Sequence, residues 1–452
     1  MKVRKRCVAQ WFSAAMAFLL LFSYGWPNLG QAQAKTSSDV STSLHKSQLQ
    51  SKDKISNDLT EKFTKQDQVT FLLKFKEQVN TKKIAAKAVN TAQNNNLSAA
   101  KTELKKRTAV VSALRAKSLD TQASVKQFLR KQKKAGKVKS FESFYIVNAM
   151  AVTGTKEVAE ELAQFGEIEK ILPNRTRHLI KTNHSKTKGT KKKASNKAQP
   201  KATTSDDDEI GPNIEHIGAP QAWGVGIDGS GVVIASLDSG VQWDHPALKR
   251  KYRGYDPENP DQPNNEFNWF DAVAGQDAPY DDLGHGTHTV GTMVGSEPDG
   301  TNKIGVAPGA QWIAAKAFTS AGTGSDVDIL EAGEWILAPK DSEGNPHPEK
   351  APDIVNNSWG GGRGIDEWFR PMVQNWRAAG IFPAFAAGNT TIFEPGGPGS
   401  VSAPGNYPES FAVGATNLDD ELAGFSLQGP SPYDEIKPEL VAPGVSIRSS
   451  VP

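Results

Sequence analysis

Cysteine is almost missing from these 452 residues: the single one is Cys7, close to the N-terminus. Beyond it, a zinc–thiolate centre, a cysteine nucleophile and a disulfide framework are excluded. Charge of one sign is missing too. The formal net charge is +3, so the chain as a whole has no general attraction for nucleic acid. No apolar run reaches the about 20 residues that span a bilayer. The H-E-x-x-H pattern of zinc hydrolases does not occur. What remains is ordinary globular composition, 37% hydrophobic, with length for more than one domain. Stability without cross-links must come from core size, which a large α/β domain supplies.

The N-terminal residues stand apart. Lys2, Arg4, Lys5 and Arg6 precede the apolar run "WFSAAMAFLLLFSYGW", and Ala32-Gln33-Ala34 offers small residues at a cleavage point. Residues 1–34 read as a secretory signal, so the expected location is extracellular, with no stable membrane anchor. Residues 35–68 read as a spacer, too polar to fold alone. A small α+β domain is expected over 69–180, beginning with the strand "VTFLLKF". Lys-rich helices from about Leu97 to Lys137 should bury Leu104, Val111, Leu114 and Leu119. "FESFYIVNAMAVTGT", "KEVAEELAQFG" and "EIEKILPN" then read as strand, amphipathic helix and strand, with Val158, Leu162 and Phe165 on one helical face. Residues 181–209, rich in Lys and closed by "DDDE", have almost nothing to hold them to a core and read as an exposed, cleavable linker. The acidic run offsets the lysines, so no nucleic-acid partner is expected.

From Ile210 onward Gly and Pro punctuate short apolar strands that alternate with amphipathic helices, the pattern of a doubly wound α/β domain with a parallel sheet. "GVVIASLD" is continuous enough to be buried on both faces. "QWIAAKAF", "DIVNNSW", "GIFPAFAAGN" and "SFAVGAT" are further strands. Ser325 is placed to cap the helix "DVDILEAGEWIL", and Trp368, Phe369, Met372, Val373 and Trp376 share one apolar face, with Pro371 near the helix start.

Ligands of such sheets meet the carboxyl ends of the strands, where Asp238, Ser358 and Asn389 each close an apolar run. "DDLGHGTHTVGTMVG" adds His285 and His288 in a Gly-flanked helix start, whose small residues allow close approach to the sheet. A buried carboxylate can fix an imidazole tautomer and stabilise its protonated form. An Asn amide can donate to an oxyanion. Asp238, His285 and Asn389 therefore form a set that calls for a nucleophile.

"SLDSGVQWDHPAL", "GHGTHTVGT", "GVAPGAQWIAAKAF", "NNSWGGG", "AAGN" and "VAPGVSI" together resemble the landmarks of subtilisin-like serine peptidases, and "NNSWGGGRGIDEWFRPMVQNWRAAGIFP" resembles the bacillopeptidase F branch. The resemblance covers about Ile210 to Pro452. It implies a subtilisin-like doubly wound parallel sheet over 210–452, preceded by a ferredoxin-like propeptide that inhibits the enzyme intramolecularly. Asp238 would orient His285, the general base and then acid, and Asn389 would donate to the oxyanion. Ser358, Trp359 and Gly360 would pair with an extended protein or peptide substrate, and Ala386, Ala387 and Gly388 would wall the first specificity pocket. His288, Asp244 and His245 would be structural. No cofactor is implied for the chemistry. The resemblance leaves room for a structural calcium ion, although Ala247 stands where well-known subtilisins have a calcium-binding Asp. The oxygen-rich "YDPENPDQPNNEFNWFD" reads as a turn-rich loop before it reads as a cation site.

No Gly-Thr-Ser-Met-Ala-like segment occurs. The expectation is accordingly a secreted serine endopeptidase whose nucleophile is not in this chain, which would be its incomplete N-terminal portion and inactive as given. A noncatalytic binding protein of the same fold is the alternative. A metal hydrolase using His285, His288 and Asp281 or Asp282 is the weaker one.

Overall fold

The computed structural model describes residues 53–180 and 210–452. The expected signal over 1–34, most of the spacer and the linker over 181–209 lie outside the described residues.

The N-terminal elements are α1 (Asn57–Phe63), β1 (Val69–Phe75), α2 (Thr81–Asn94), α3 (Ala99–Thr121), α4 (Ala123–Lys134), β2 (Val138–Phe144), β3 (Ala149–Gly154), α5 (Lys156–Leu162) and β4 (Ile168–Pro173). The strands form an antiparallel sheet in the order β2-β3-β1-β4, the arrangement of a split β-α-β unit. Helix α1 corrects the spacer expected over 35–68. Ser56 caps it, Leu59 is fully buried, and Ile55 and Phe63 pack on the same core as Phe71 and Ile171. A polar segment can be ordered by three apolar residues when a finished sheet receives them. Helix α2 was not anticipated at all. In α3 the buried stripe runs Arg107, Val110, Val111, Leu114 and Ser118, at spacings of three and four. Leu104 lies at its edge and Leu119 is turned away from it. They are 42% and 65% exposed, against expectation. Val158 and Leu162 are buried on α5, while Phe165 follows the helix and packs only partly.

Beyond β5 (Thr176–Leu179) the chain forms α6 (Pro212–His216), α7 (Ala219–Gly224), β6 (Val233–Asp238), α8 (Pro246–Lys249), β7 (Trp269–Asp271), α9 (His285–Val294), β8 (Gln311–Lys316), β9 (Thr323–Ser325) and α10 (Asp326–Leu337). Then follow β10 (Ile354–Asn357), β11 (Trp359–Gly360), α11 (Arg370–Ala378), β12 (Phe382–Ala386), β13 (Phe411–Thr416) and β14 (Leu440–Pro443). Seven strands make one sheet in the order β14-β13-β12-β10-β6-β8-β7, every neighbouring pair parallel. This is the expected doubly wound α/β sheet. β6 is an interior strand, and the chain leaves it for β7 and β8 on one side and β10 on the other, which opens a crevice at its carboxyl end. Ser325 caps α10 with a reciprocal capping box through Asp328. Pro371 sits in the first turn of α11, whose Met372, Val373 and Trp376 are buried; Trp368 and Phe369 are buried just ahead of it rather than on it.

Both sheets belong to one compact unit, Gln48–Pro452. The N-terminal elements dock on α10 and α11. Buried Glu334 accepts hydrogen bonds from the amides of Tyr145 (2.6 Å) and Ile146 (3.1 Å), and Asn375 Nδ2 donates to the Ile146 carbonyl. Arg107 reaches the Ala351 carbonyl and Asp353. Around them Val110, Val111 and Leu114 share a core with Ile329, Trp335 and Trp376. No helix among the described residues is long and apolar enough to cross a membrane.

Candidate active site

β6 delivers Asp238 to the crevice at its last residue, 1% exposed. α9 starts at His285 after Gly284, and the close approach of this helix to β6 depends on Gly286: a Cβ there would lie 2.0 Å from the Gly240 carbonyl oxygen. Any side chain would push the helix off the sheet. With glycine in place, His285 Nδ1 stands 2.7 Å from Asp238 Oδ1, which also accepts from the Ser239 amide at 2.7 Å. Burial pulls the His285 pKa down, but the charge and hydrogen bond of Asp238, helped by the Ile180 carbonyl and Asp281, outweigh it and raise the imidazole above its ordinary value.

A residue absent from the expected catalytic set holds this geometry. Asp281 Oδ1 accepts from Ser239 Oγ and the Gly284 amide, each at 2.8 Å, while its Oδ2 accepts from Thr287 N and Oγ1 at 2.9 and 2.7 Å. It caps the start of α9 and ties it to the end of β6. The Asp four residues before the histidine, ahead of a Gly-flanked helix start, was the available signal. Asp282 pairs instead with fully buried Lys316 (2.6 Å), whose ammonium also donates to the Ser239 carbonyl. His288, lowered by burial, points its Nε2 at the Ile447 carbonyl 3.2 Å away. The two imidazoles thus serve different partners, and among the described residues no group of three or more His, Cys, Asp or Glu converges as a metal site. His245 caps α8 through its Nδ1, and in the oxygen-rich loop Asp256 closes a turn on Glu258 and Asn259 while Asp261 pairs with Lys249.

His285 Nε2 faces outward into an occupied cleft. β5 lies there between β11 and β9, antiparallel to both, with Leu179 opposite Trp359, His178 opposite Gly360 and Arg177 opposite Gly324. The Ile180 amide donates to the Ser358 carbonyl at 2.9 Å, and the Ile180 carbonyl lies 3.3 Å from His285 Nε2. Ser358, Trp359 and Gly360 therefore pair with an extended strand, and that strand is the chain's own. β9, its second wall, was not read from the sequence. Among the described residues no serine hydroxyl hydrogen-bonds His285 Nε2.

Ala386, Ala387 and Gly388 follow from β12; the Ala387 carbonyl accepts from Ser402 N, and the Gly388 carbonyl from Leu427 N. Asn389 comes next, half-buried, its backbone bridged to Ser426. At the other end of β5, Arg177 is 6% exposed and its guanidinium sits between Asp326 and Asp366. Burial opposes its charge, yet the two carboxylates overcompensate and hold it above the ordinary arginine range.

A model of the subtilase family matches residues 229–451. The chain is 56% identical over 454 residues to bacillopeptidase F of Bacillus subtilis (strain 168), covering all of this chain and 31% of that protein. It is 32% identical over 240 residues to subtilisin E of the same strain, covering 53% of each, and 32% identical over 240 residues to subtilisin of Bacillus pumilus, covering 53% of this chain and 74% of that protein. It thus spans about a third of the bacillopeptidase F it matches and about half of subtilisin E. The parallel sheet, the Asp238–His285 pair at its crevice and these matches agree: the chain belongs to the subtilase family.

Proposed function

We propose that the complete protein is a secreted serine endopeptidase in which Asp238 and His285 are two members of an Asp-His-Ser triad. One observation carries this reading: an extended segment lies antiparallel in the cleft with its Ile180 carbonyl 3.3 Å from Nε2 of an imidazole that is bonded to a buried carboxylate. In the reaction His285 takes the proton of the serine hydroxyl as that oxygen attacks the substrate carbonyl, then gives it to the leaving amine. Asp238 holds the tautomer and stabilises the imidazolium. Asn389 donates to the oxyanion, and such a donor matters because its bond strengthens only as the negative charge develops. Ser358 to Gly360 and β9 bind the substrate backbone. Ala386, Ala387 and Gly388 wall the pocket for the residue before the scissile bond. No cofactor enters the chemistry.

Residues 69–180 act as a propeptide and intramolecular inhibitor, presenting the bond after Ile180 as a substrate would, while residues 181–209 form the cleavable linker and residues 1–34 direct export. Because none of the described serines bonds His285 Nε2, the 452 residues alone are expected to be inactive. The noncatalytic alternative gains nothing from a cleft so occupied. The test compares this chain with the complete gene product on casein, with and without a serine-directed phosphonylating reagent and EDTA. The complete product should hydrolyse casein, lose that activity to the serine reagent and keep it in EDTA. Its first cut should follow Ile180. Casein hydrolysis by the 452 residues alone, or inhibition by EDTA only, would sink the proposal.

A further inference from the structure

Arg177 is an unusual residue to find inside a cleft. It stands on β5 three residues before Ile180, and side chains alternate along a strand, so Arg177 and Leu179 face inward while Thr176 and His178 remain exposed. Its Nε lies 2.6 Å from Asp326 Oδ1, its Nη1 lies 2.8 Å from Asp366 Oδ2, and its Cζ lies 5.2 Å from the centroid of the Phe369 ring. Asp326 is the first residue of α10, directly after β9. Asp366 lies on the loop leading to α11. Gly361 completes the space, for a Cβ there would come within 2.2 Å of Arg177 Nη1. Asp326, Gly361, Asp366 and Phe369 all belong to the subtilase part of the chain, while the guanidinium comes from the N-terminal segment.

The decisive feature is what satisfies Asp326. Its carboxylate accepts from Arg177 Nε and, at 3.3 Å, from the Arg175 amide, both on the segment that fills the cleft. With the segment seated, the Asp326 side chain is 3% exposed, and among the described residues it has no comparable partner outside that segment. A buried charge stripped of its partner is strongly destabilising, so an occupant bringing the same cation to the same register is favoured over one that does not. The pocket suits arginine better than lysine. It offers two acceptors in the directions of a planar fork and an aromatic face for stacking, whereas an ammonium is a compact charge that cannot meet all three in the same way.

We propose that Asp326 and Asp366 form a specificity site for an arginine side chain at the fourth residue before the scissile bond. The inference rests on the peptidase reading and names the substrate class of that same cleft: extended peptides carrying arginine three residues before the residue whose carbonyl is attacked. The occupant can be the chain's own segment or a foreign peptide, since both present the same atoms.

The test uses the complete active protein and internally quenched peptides identical except for Arg, Lys or norleucine at that position. kcat/KM for the Arg peptide should exceed that for norleucine roughly tenfold or more, with Lys between them. The variant D366N, altering the more exposed carboxylate, should reduce the Arg preference, and D326N/D366N should bring it to within about twofold. Far-UV circular dichroism and thermal unfolding of both variants, set against the unaltered protein, show whether they remain folded. Equal rates for Arg and norleucine in the unaltered protein would overturn the inference while leaving the peptidase reading standing. If no peptide and no casein is cut, that reading falls instead. Binding of Arg-Ala-Ala-Ile against norleucine-Ala-Ala-Ile to the complete protein, followed by tryptophan fluorescence, then decides the inference, and equal affinities reject it.

Discussion

At its Ile180 end the segment in the cleft is held by main-chain groups, an amide on Ser358 and a carbonyl beside His285; at its Arg177 end main-chain pairing with β9 is joined by a side chain held between two carboxylates. Main-chain bonds are available to almost any sequence, so the Ile180 end is tolerant. The ion pairs demand one residue type, so the distant end selects. On the proposed peptidase reading, separating the two tasks would let the reacting geometry stay fixed while selection is made nearly a strand's length away.

The largest effect should come from the tolerant end. If the complete protein is the peptidase proposed above, Asp238→Asn keeps the buried contact but favours the wrong tautomer, and kcat should fall about 10⁴-fold with KM little changed. Steady-state kinetics on the norleucine peptide measures this without involving the Arg pocket. A fall of less than tenfold would mean that His285 does not depend on Asp238.

Next in size is the selective end. In the 452-residue chain Arg177→Ala leaves Asp326 buried without its cation and should cost about 3–5 kcal/mol. Ile180→Ala retains both main-chain bonds and should cost clearly less. Arg177→Lys should fall between them, because the charge survives but the fork and the stacking do not. Urea unfolding, together with hydrogen exchange of the amides at 176–180, reads the difference. Equal losses for Arg177→Ala and Ile180→Ala would erase the contrast between the ends.

The same contrast decides what could be read from the sequence. Asp238 and His285 were legible because each follows from a local pattern: an apolar run that ends on a carboxylate, and a histidine among glycines at a helix start. The seven-stranded sheet was legible in outline for the same reason, since a strand buried on both faces is continuous in apolar residues. The Arg177 pocket was not. β5 and β9 read "TRHL" and "TGS", too short and too polar to announce strands, and Arg177 meets Asp326 and Asp366 across 149 and 189 residues. Asp281 was seen only as a candidate metal ligand, because its role needs α9 and β6 already in contact. The misplacement of Leu119 has another origin: apolar spacing marks a helix, but the stripe that is buried depends on which neighbour covers it. The polar stretch before β1 failed for a related reason, composition being silent about a sheet that can receive Ile55, Leu59 and Phe63.

The smallest effect expected is on pH dependence, and it too should separate the ends. His285 is raised above its ordinary value by Asp238 against the pull of burial. A folded-state pKa above the unfolded one means that the native chain binds the proton more tightly. The stabilisation is therefore complete below the unfolded value near 6.5 and is lost as pH rises through the folded one, at about 1.4 kcal/mol per unit of elevation. The Arg177 guanidinium keeps its proton throughout this interval and contributes no such slope. An NMR titration of the 452-residue chain should place the His285 midpoint above 6.5, and Asp238→Asn, which removes the largest raising influence and leaves the burial, should bring it below. Arg177→Ala should leave the midpoint near its original position as long as Ile180 stays seated. A shift in Arg177→Ala as large as in Asp238→Asn would show that the ion pair at one end positions the carbonyl at the other, and the two ends would then have to be treated as a single coupled device.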